Sequence, residues 1–108
     1  MSEDVAWCAG FFEGEGHISF TVRKRDNASW LSIAVAQVHR EPLDKFAEVL
    51  GGKVYGPYGP YSTNKKAYFM YQAYGKKAES AARTMRPYLY HKGEQVDVAL
   101  VEYENHNA

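Results

Sequence analysis

The sequence predicts an α+β domain in the order αββαββα with one further helix, in which four antiparallel strands form a sheet with helices packed on one face. Three observations lead there. Apolar residues recur with period two in paired stretches, they recur at helical spacing between and after those pairs, and glycine, proline and asparagine mark the boundaries.

The first helix runs from Asp4 to about Glu13, short, apolar and rich in small side chains (Val5, Ala6, Ala9, Gly10), and is expected to stop at Gly14. From His17 the period changes: Ile18, Phe20 and Val22 alternate with His17, Ser19, Thr21 and Arg23. Asp26-Asn27 is a turn signal, after which Leu31, Ile33 and Val35 alternate with Trp30, Ser32, Ala34 and Ala36, so the two segments read as a hairpin. Pro42 suits the first turn of a second helix. There Leu43, Phe46, Ala47 and Leu50 fall on one face, and Gly51-Gly52 ends it. A second pair of strands follows, about Lys53 to Tyr58 and Lys66 to Tyr74, separated by a tandem Tyr-Gly-Pro repeat that reaches Tyr61. Proline cannot donate to a sheet ladder, so the strand carrying the repeat is an edge or is interrupted. A helix from Lys77 to about Arg86 buries Ala78, Ala81, Ala82 and Met85 and is closed by Pro87. The last, from about Lys92 to Glu104, aligns Val96, Ala99, Leu100 and Tyr103.

At 108 residues the chain reads as one domain, 1–108, with room for a single core. No apolar run approaches the roughly 18 residues of a membrane span. The acidic start Met1-Ser2-Glu3-Asp4 is unlike a signal or transit peptide, and the lone Cys8 fits a reducing compartment, so an intracellular location is expected. The formal net charge is zero, but it is unevenly spread. All 13 basic residues lie between Arg23 and Lys92 with only five acids among them, an excess of eight positive charges. From Lys53 to Lys77 there is no acid at all. Such asymmetry fits a polyanion-binding face, and it also fits a solvated lysine surface balanced by acidic helices. The sheet face away from the helices would present His17, Ser19, Thr21, Arg23, Arg25, Trp30, Ser32, Tyr55, Lys66, Tyr68, Met70 and Gln72, a broad polar, aromatic and partly basic surface suited to a partner.

One segment carries more information. Cys8-Ala-Gly-Phe-Phe-Glu-Gly-Glu-Gly16 resembles the nine-residue signature of the LAGLIDADG homing endonucleases. Further matches stand in the right order: Gln37 through Leu43, the glycines Gly51-Gly52 before a strand, and Arg86-Pro-Tyr-Leu-Tyr-His-Lys92 followed by Gln95. The resemblance covers about Val5 to Leu100. It implies a saddle-like sheet and a divalent-metal-dependent double-strand DNA endonuclease, active in intron or intein mobility and leaving short 3′ overhangs. One signature per chain implies the homodimeric type. Chemistry agrees: Mg²⁺, or another divalent cation such as Mn²⁺, prefers carboxylate and water ligands, and one carboxylate per chain holds it poorly. Two copies meeting across a two-fold axis through Ala9 and Gly10 would bring two carboxylates together over a pseudo-palindromic site.

The resemblance assigns roles by position. Glu15 matches the second acid of the signature, the metal ligand; the alternative is a surface carboxylate at a helix end. Glu13 matches the first acid, with a structural, interfacial or supporting part as open as a catalytic one. Both positions are more often aspartate in the family, so metal geometry is loosened here. The carbonyl of Gly14 would also face the metal. Gln37 matches the residue that positions a water, against a plain sheet glutamine. Lys92 matches the basic residue that polarises the scissile phosphate or its water network, while His91 reads as a solvated or packing histidine. Base recognition would fall to Ser19, Thr21, Arg23, Arg25, Trp30, Ser32, Lys66, Tyr68, Met70 and Gln72, with arginine suited to guanine and glutamine to adenine. Lys53, Lys65, Lys76 and Lys77 would meet phosphates. Alternatives from other classes are a cleavage-deficient relative acting as an RNA-splicing maturase or DNA-binding regulator, and a dimeric scaffold that binds no nucleic acid. No nucleotide loop, nucleophilic triad or zinc spacing is present.

Overall fold

A computed structural model describes residues 2–60, 62–63 and 65–107, so the third tyrosine of the tandem repeat, Tyr61, lies outside the described residues. The elements are α1 (Ser2–Glu15), β1 (Gly16–Val22), β2 (Ser29–Gln37), α2 (Glu41–Leu50), β3 (Lys53–Tyr58), β4 (Tyr68–Tyr74), α3 (Lys76–Met85), a single 3₁₀ turn at Arg86–Tyr88 and α4 (Gly93–His106). The expected αββαββα order with a C-terminal helix is what forms. The sheet is wholly antiparallel in the order β1-β2-β4-β3. All helices pack on the same side of it, α1, α2 and α3 over the middle and α4 along β1.

The core follows from the two periods. Ile18, Leu31, Ile33, Val35, Tyr71 and Ala73 point from the strands into the helical layer. They meet Cys8, Ala9 and Phe12 of α1, Leu43 and Phe46 of α2, the alanines and Met85 of α3, and Val96, Ala99 and Leu100 of α4. The one polar atom carried deep by this set is the Tyr71 hydroxyl, which donates to the Gly51 carbonyl at 2.6 Å. Gly51 and Gly52 turn the chain out of α2 with φ of 78° and 105°, and a side chain on Gly52 would strike the Gln72 carbonyl and the Tyr71 ring.

Three boundaries differ from expectation. Helix α1 passes through Gly14 to Glu15 instead of stopping, because the chain runs straight from its last turn into β1 with no left-handed residue between. Strand β4 begins at Tyr68, not Lys66: the register slips between Tyr55 and Tyr58, and pairing ends at Tyr58 with Tyr68. Lys66 therefore sits in the β3–β4 connection. Strand β1 ends at Val22, which leaves Arg23 and Arg25 in the hairpin loop.

Candidate functional site

The end of α1 collects much of what the sequence singles out. Glu15 is its last residue, exposed, with no side-chain hydrogen bond or ion pair among the described residues. Glu13, two residues earlier, is occupied: it accepts the Tyr90 backbone N–H at 2.6 Å and lies 2.8 Å from His91 Nδ1. Lys92 Nζ donates to the carbonyls of Phe12, at 3.0 Å, and Gly16, at 2.6 Å, across the helix terminus. This explains an oddity of the sequence. A lysine at the start of α4 stands at the wrong end of that helix's dipole, but its stem carries the charge to the carbonyl end of α1, where a cation is favoured. The ammonium also lies 5.6 Å from the centre of the Phe12 ring.

Gln37 closes β2. Val35 pairs with Gly16, so Gln37 lies at the same end of the sheet as Glu15. Its position in the alternation is that of the core-facing residues Ile33 and Val35, and its Oε1 accepts the Val38 backbone N–H at 2.9 Å. Glu15, Gly14 and Lys92 thus stand at one helix end, and Gln37 lies at the same end of the sheet. Among the described residues no three His, Cys, Asp or Glu side chains cluster closely enough to hold a metal ion. With Glu13 committed to Tyr90 and His91, the chain offers Glu15 as the hard carboxylate donor here, together with main-chain oxygen. That donor type suits a divalent cation of the Mg²⁺ kind, and the number is too small for one chain alone.

The residues expected at a helix–helix interface divide. Ala9 is fully buried, packed with Cys8 and Phe12 into its own core, so it does not belong to the exposed face. Glu13 is turned toward the 90–91 segment and its side chain is only 16% exposed. Gly10 is exposed, and with Gly14, Glu3 and Trp7 it makes one stripe at spacings of three and four. Among the described residues, and leaving aside the backbone of its own helix turn, nothing lies within 4 Å of where a side chain on Gly10 or Gly14 would begin. Their own fold does not demand glycine.

On the far side of the sheet the pairing sets the rows: His17, Ala34, Gln72 and Lys53; Ser19, Ser32 and Tyr74; Ala36, Met70 and Tyr55; Thr21 with Trp30; Tyr68 with Tyr58. Ser19, Thr21, Trp30, Ser32, Tyr68, Met70 and Gln72 thus share the helix-free face. Ser19 and Ser32 satisfy one another at 3.1 Å. Tyr74 and Lys53 belong to the face as well, as the parity of Gln72 and Tyr55 implies; Tyr58, of opposite parity to Tyr55, joins them only because the register shifts between the two. Among the described residues Lys24, Arg25, Lys53, Lys65, Lys66, Lys76 and Lys77 make no ion pair, whereas Arg23, Arg40, Lys45, Arg83 and Arg86 do. The unpaired cations lie in the β1–β2 hairpin, on β3, in the β3–β4 connection and at the start of α3. Arg23 is held by Asp26, and that bond draws the Asp26 carboxyl below its ordinary range and raises the guanidinium.

The likenesses to known proteins agree with this geometry. A DNA endonuclease encoded in an intron of Dictyostelium discoideum is 30% identical over 91 residues, covering 76% of this chain and 35% of that relative. The chain therefore spans about a third of the curated relative it matches. The homing endonuclease I-CvuI, solved with its DNA target, superposes with a TM-score of 0.75 at 22% identity over 95% of this chain and 67% of its own. The LAGLIDADG homing endonuclease I-GzeII, also solved with DNA, gives 0.67 at 22% identity over 94% of this chain and 38% of its own. No family model matches the sequence. In fold and in sequence the chain resembles the LAGLIDADG homing endonucleases.

Proposed function

We propose that this chain is one subunit of a homodimeric, sequence-specific double-strand DNA endonuclease that hydrolyses phosphodiester bonds with Mg²⁺ or a similar divalent cation such as Mn²⁺. The observation that carries this reading is the end of α1, where an unengaged Glu15 follows two outward glycines that the chain itself does not need. A glycine inside a helix costs about 1 kcal/mol relative to alanine. Two on one exposed stripe are explained by close approach of a second backbone. A copy packed there brings two Glu15 carboxylates together and sets the two β1 edges side by side, so that the two helix-free faces seat in adjacent major-groove segments of a pseudo-palindromic target.

The divalent ion, when bound, supplies charge neutralisation at the scissile phosphate and a hydroxide at neutral pH. The chain's own residues do the rest. Glu15 of each copy supplies a hard oxygen ligand, beside the Gly14 carbonyl. Gln37, at the same sheet end, orients water. Lys92 has two of its three N–H groups on the carbonyls of Phe12 in α1 and Gly16 in β1, and one left for the phosphate or its water network. Unpaired lysines around the sheet take phosphates, and the exposed face takes bases. Intron mobility is the biological setting that fits the named relative.

The test is cleavage selection from a randomised duplex library with Mg²⁺. The wild type should cut a pseudo-palindromic site and lose activity with chelator. Glu15→Gln should lose cleavage by at least about a hundredfold while still binding the selected site. Undiminished cutting by that variant removes Glu15 from the mechanism, and sedimentation of a one-chain complex on the site removes the dimer.

A further inference from the structure

The hairpin loop between β1 and β2 holds an arrangement that cleavage does not use. Arg23 donates from Nε to Asp26 Oδ1 at 2.8 Å and from Nη2 to Oδ2 at 2.6 Å. Asp26 is itself fixed, since Oδ1 also accepts the Ala28 backbone N–H at 3.2 Å. The loop around them is closed by Arg23 N–H to the Ala28 carbonyl at 2.7 Å and Asn27 N–H to the Arg23 carbonyl at 2.8 Å. The guanidinium carbon lies 5.1 Å from the centre of the Trp30 ring, and Trp30 pairs across the strands with Thr21 on the helix-free face.

The edge used matters. A guanidinium has five N–H groups, and Nε with Nη2 form its side edge. The end edge, one N–H from each Nη, points away from Asp26 and keeps the spacing that matches guanine O6 and N7. An exposed ion pair of this kind adds little to folding stability. It does remove rotamers from a long side chain before any partner arrives, which favours binding in one posture.

We propose that Asp26 is a positioning residue that presents the free end edge of Arg23 to a guanine, so that the β1–β2 hairpin specifies one G·C pair in each half-site. The inference rests on the DNA-binding reading above. Neither Asp26 nor the Trp30 stack reads a base itself; together they set the one edge that does.

A randomised duplex pool, selected by binding in Ca²⁺ so that nothing is cut, tests it with the wild type, Arg23→Ala, Asp26→Ala and Asp26→Asn. The wild type should enrich a guanine at one position of each half-site by on the order of tenfold over other bases. Arg23→Ala should erase that preference. Asp26→Ala should reduce it to about twofold at the same position, leaving other positions and low-salt affinity within about threefold of wild type. Asp26→Asn keeps an acceptor for the Ala28 N–H but not the charged fork. If Asp26 only shapes the turn, Asn behaves as wild type, and the proposal fails. It fails equally if Arg23→Ala leaves the motif unchanged. If the wild type enriches no motif at all, the DNA reading itself falls and this inference with it; a motif insensitive to Asp26 overturns the inference alone.

Discussion

Replacing Lys92 with methionine keeps an unbranched stem of similar volume and removes the ammonium that spans the end of α1. Two charge-assisted hydrogen bonds, at 3.0 and 2.6 Å, go with it. A hydrogen bond to a charged group is worth about 1.5–3 kcal/mol, and a cation at a helix carbonyl end up to about 2 kcal/mol. These overlap, because the same contacts make both. Lys92 is half-buried, so water can reach the freed carbonyls and recover part of the loss. The net expectation is about 2 kcal/mol, or roughly 8–15 °C in the unfolding midpoint for a domain of this size. Thermal and urea unfolding of wild type and Lys92→Met, compared at equal chain concentration so that dimerisation does not enter, measures it. Amide exchange should quicken first at residues 13–16. A midpoint within about 2 °C of wild type would refute the account of Lys92 as the closure of α1.

Gly16→Ala places a carbon about 2.1 Å from the buried Phe12 ring, and that ring is pinned between the core and Lys92. A loss of about 3 kcal/mol is expected in the same unfolding assay; an unchanged midpoint would mean that the ring moves freely. At Gly10 a Cβ meets nothing within 4 Å among the described residues, so for Gly10→Leu circular dichroism should stay native while sedimentation reports a monomer. A dimer that survives this change does not use α1. Burial pushes the Cys8 thiol up to about 11, so its neutral form stabilises the fold below about pH 9, and that contribution is lost as pH rises toward 11. Maleimide at pH 8 should therefore leave native Cys8 unlabelled for hours and modify it within minutes in urea, and rapid native labelling would contradict its burial.

The fold was legible because burial repeats with the geometry of each element. Ile18 with Leu31, Ile33 and Val35 declares one face of a hairpin, and Leu43 with Phe46 one face of a helix. The site was legible only as far as position in a motif goes. Periodicity cannot say that the Tyr90 amide and His91, 77 and 78 residues downstream, would claim Glu13, because an exposed carboxylate carries no local sign of a distant donor. Nor does composition separate Ala9 from Gly10. Both are small, and only the helix phase set by Cys8 and Phe12 turns one inward and the other out. Lys66 falls before a strand that begins later, because the register breaks beside Pro57, and Arg23 and Arg25 fall beyond a strand that ends sooner, because the Asp26 turn begins at Arg23.

The ammonium that seals α1 comes from a residue 80 positions beyond Phe12. Closing that end is therefore a long-range event, made only when the segment leading into α4 is docked against it. The helix that holds the signature is thus completed by sequence lying far outside the signature itself.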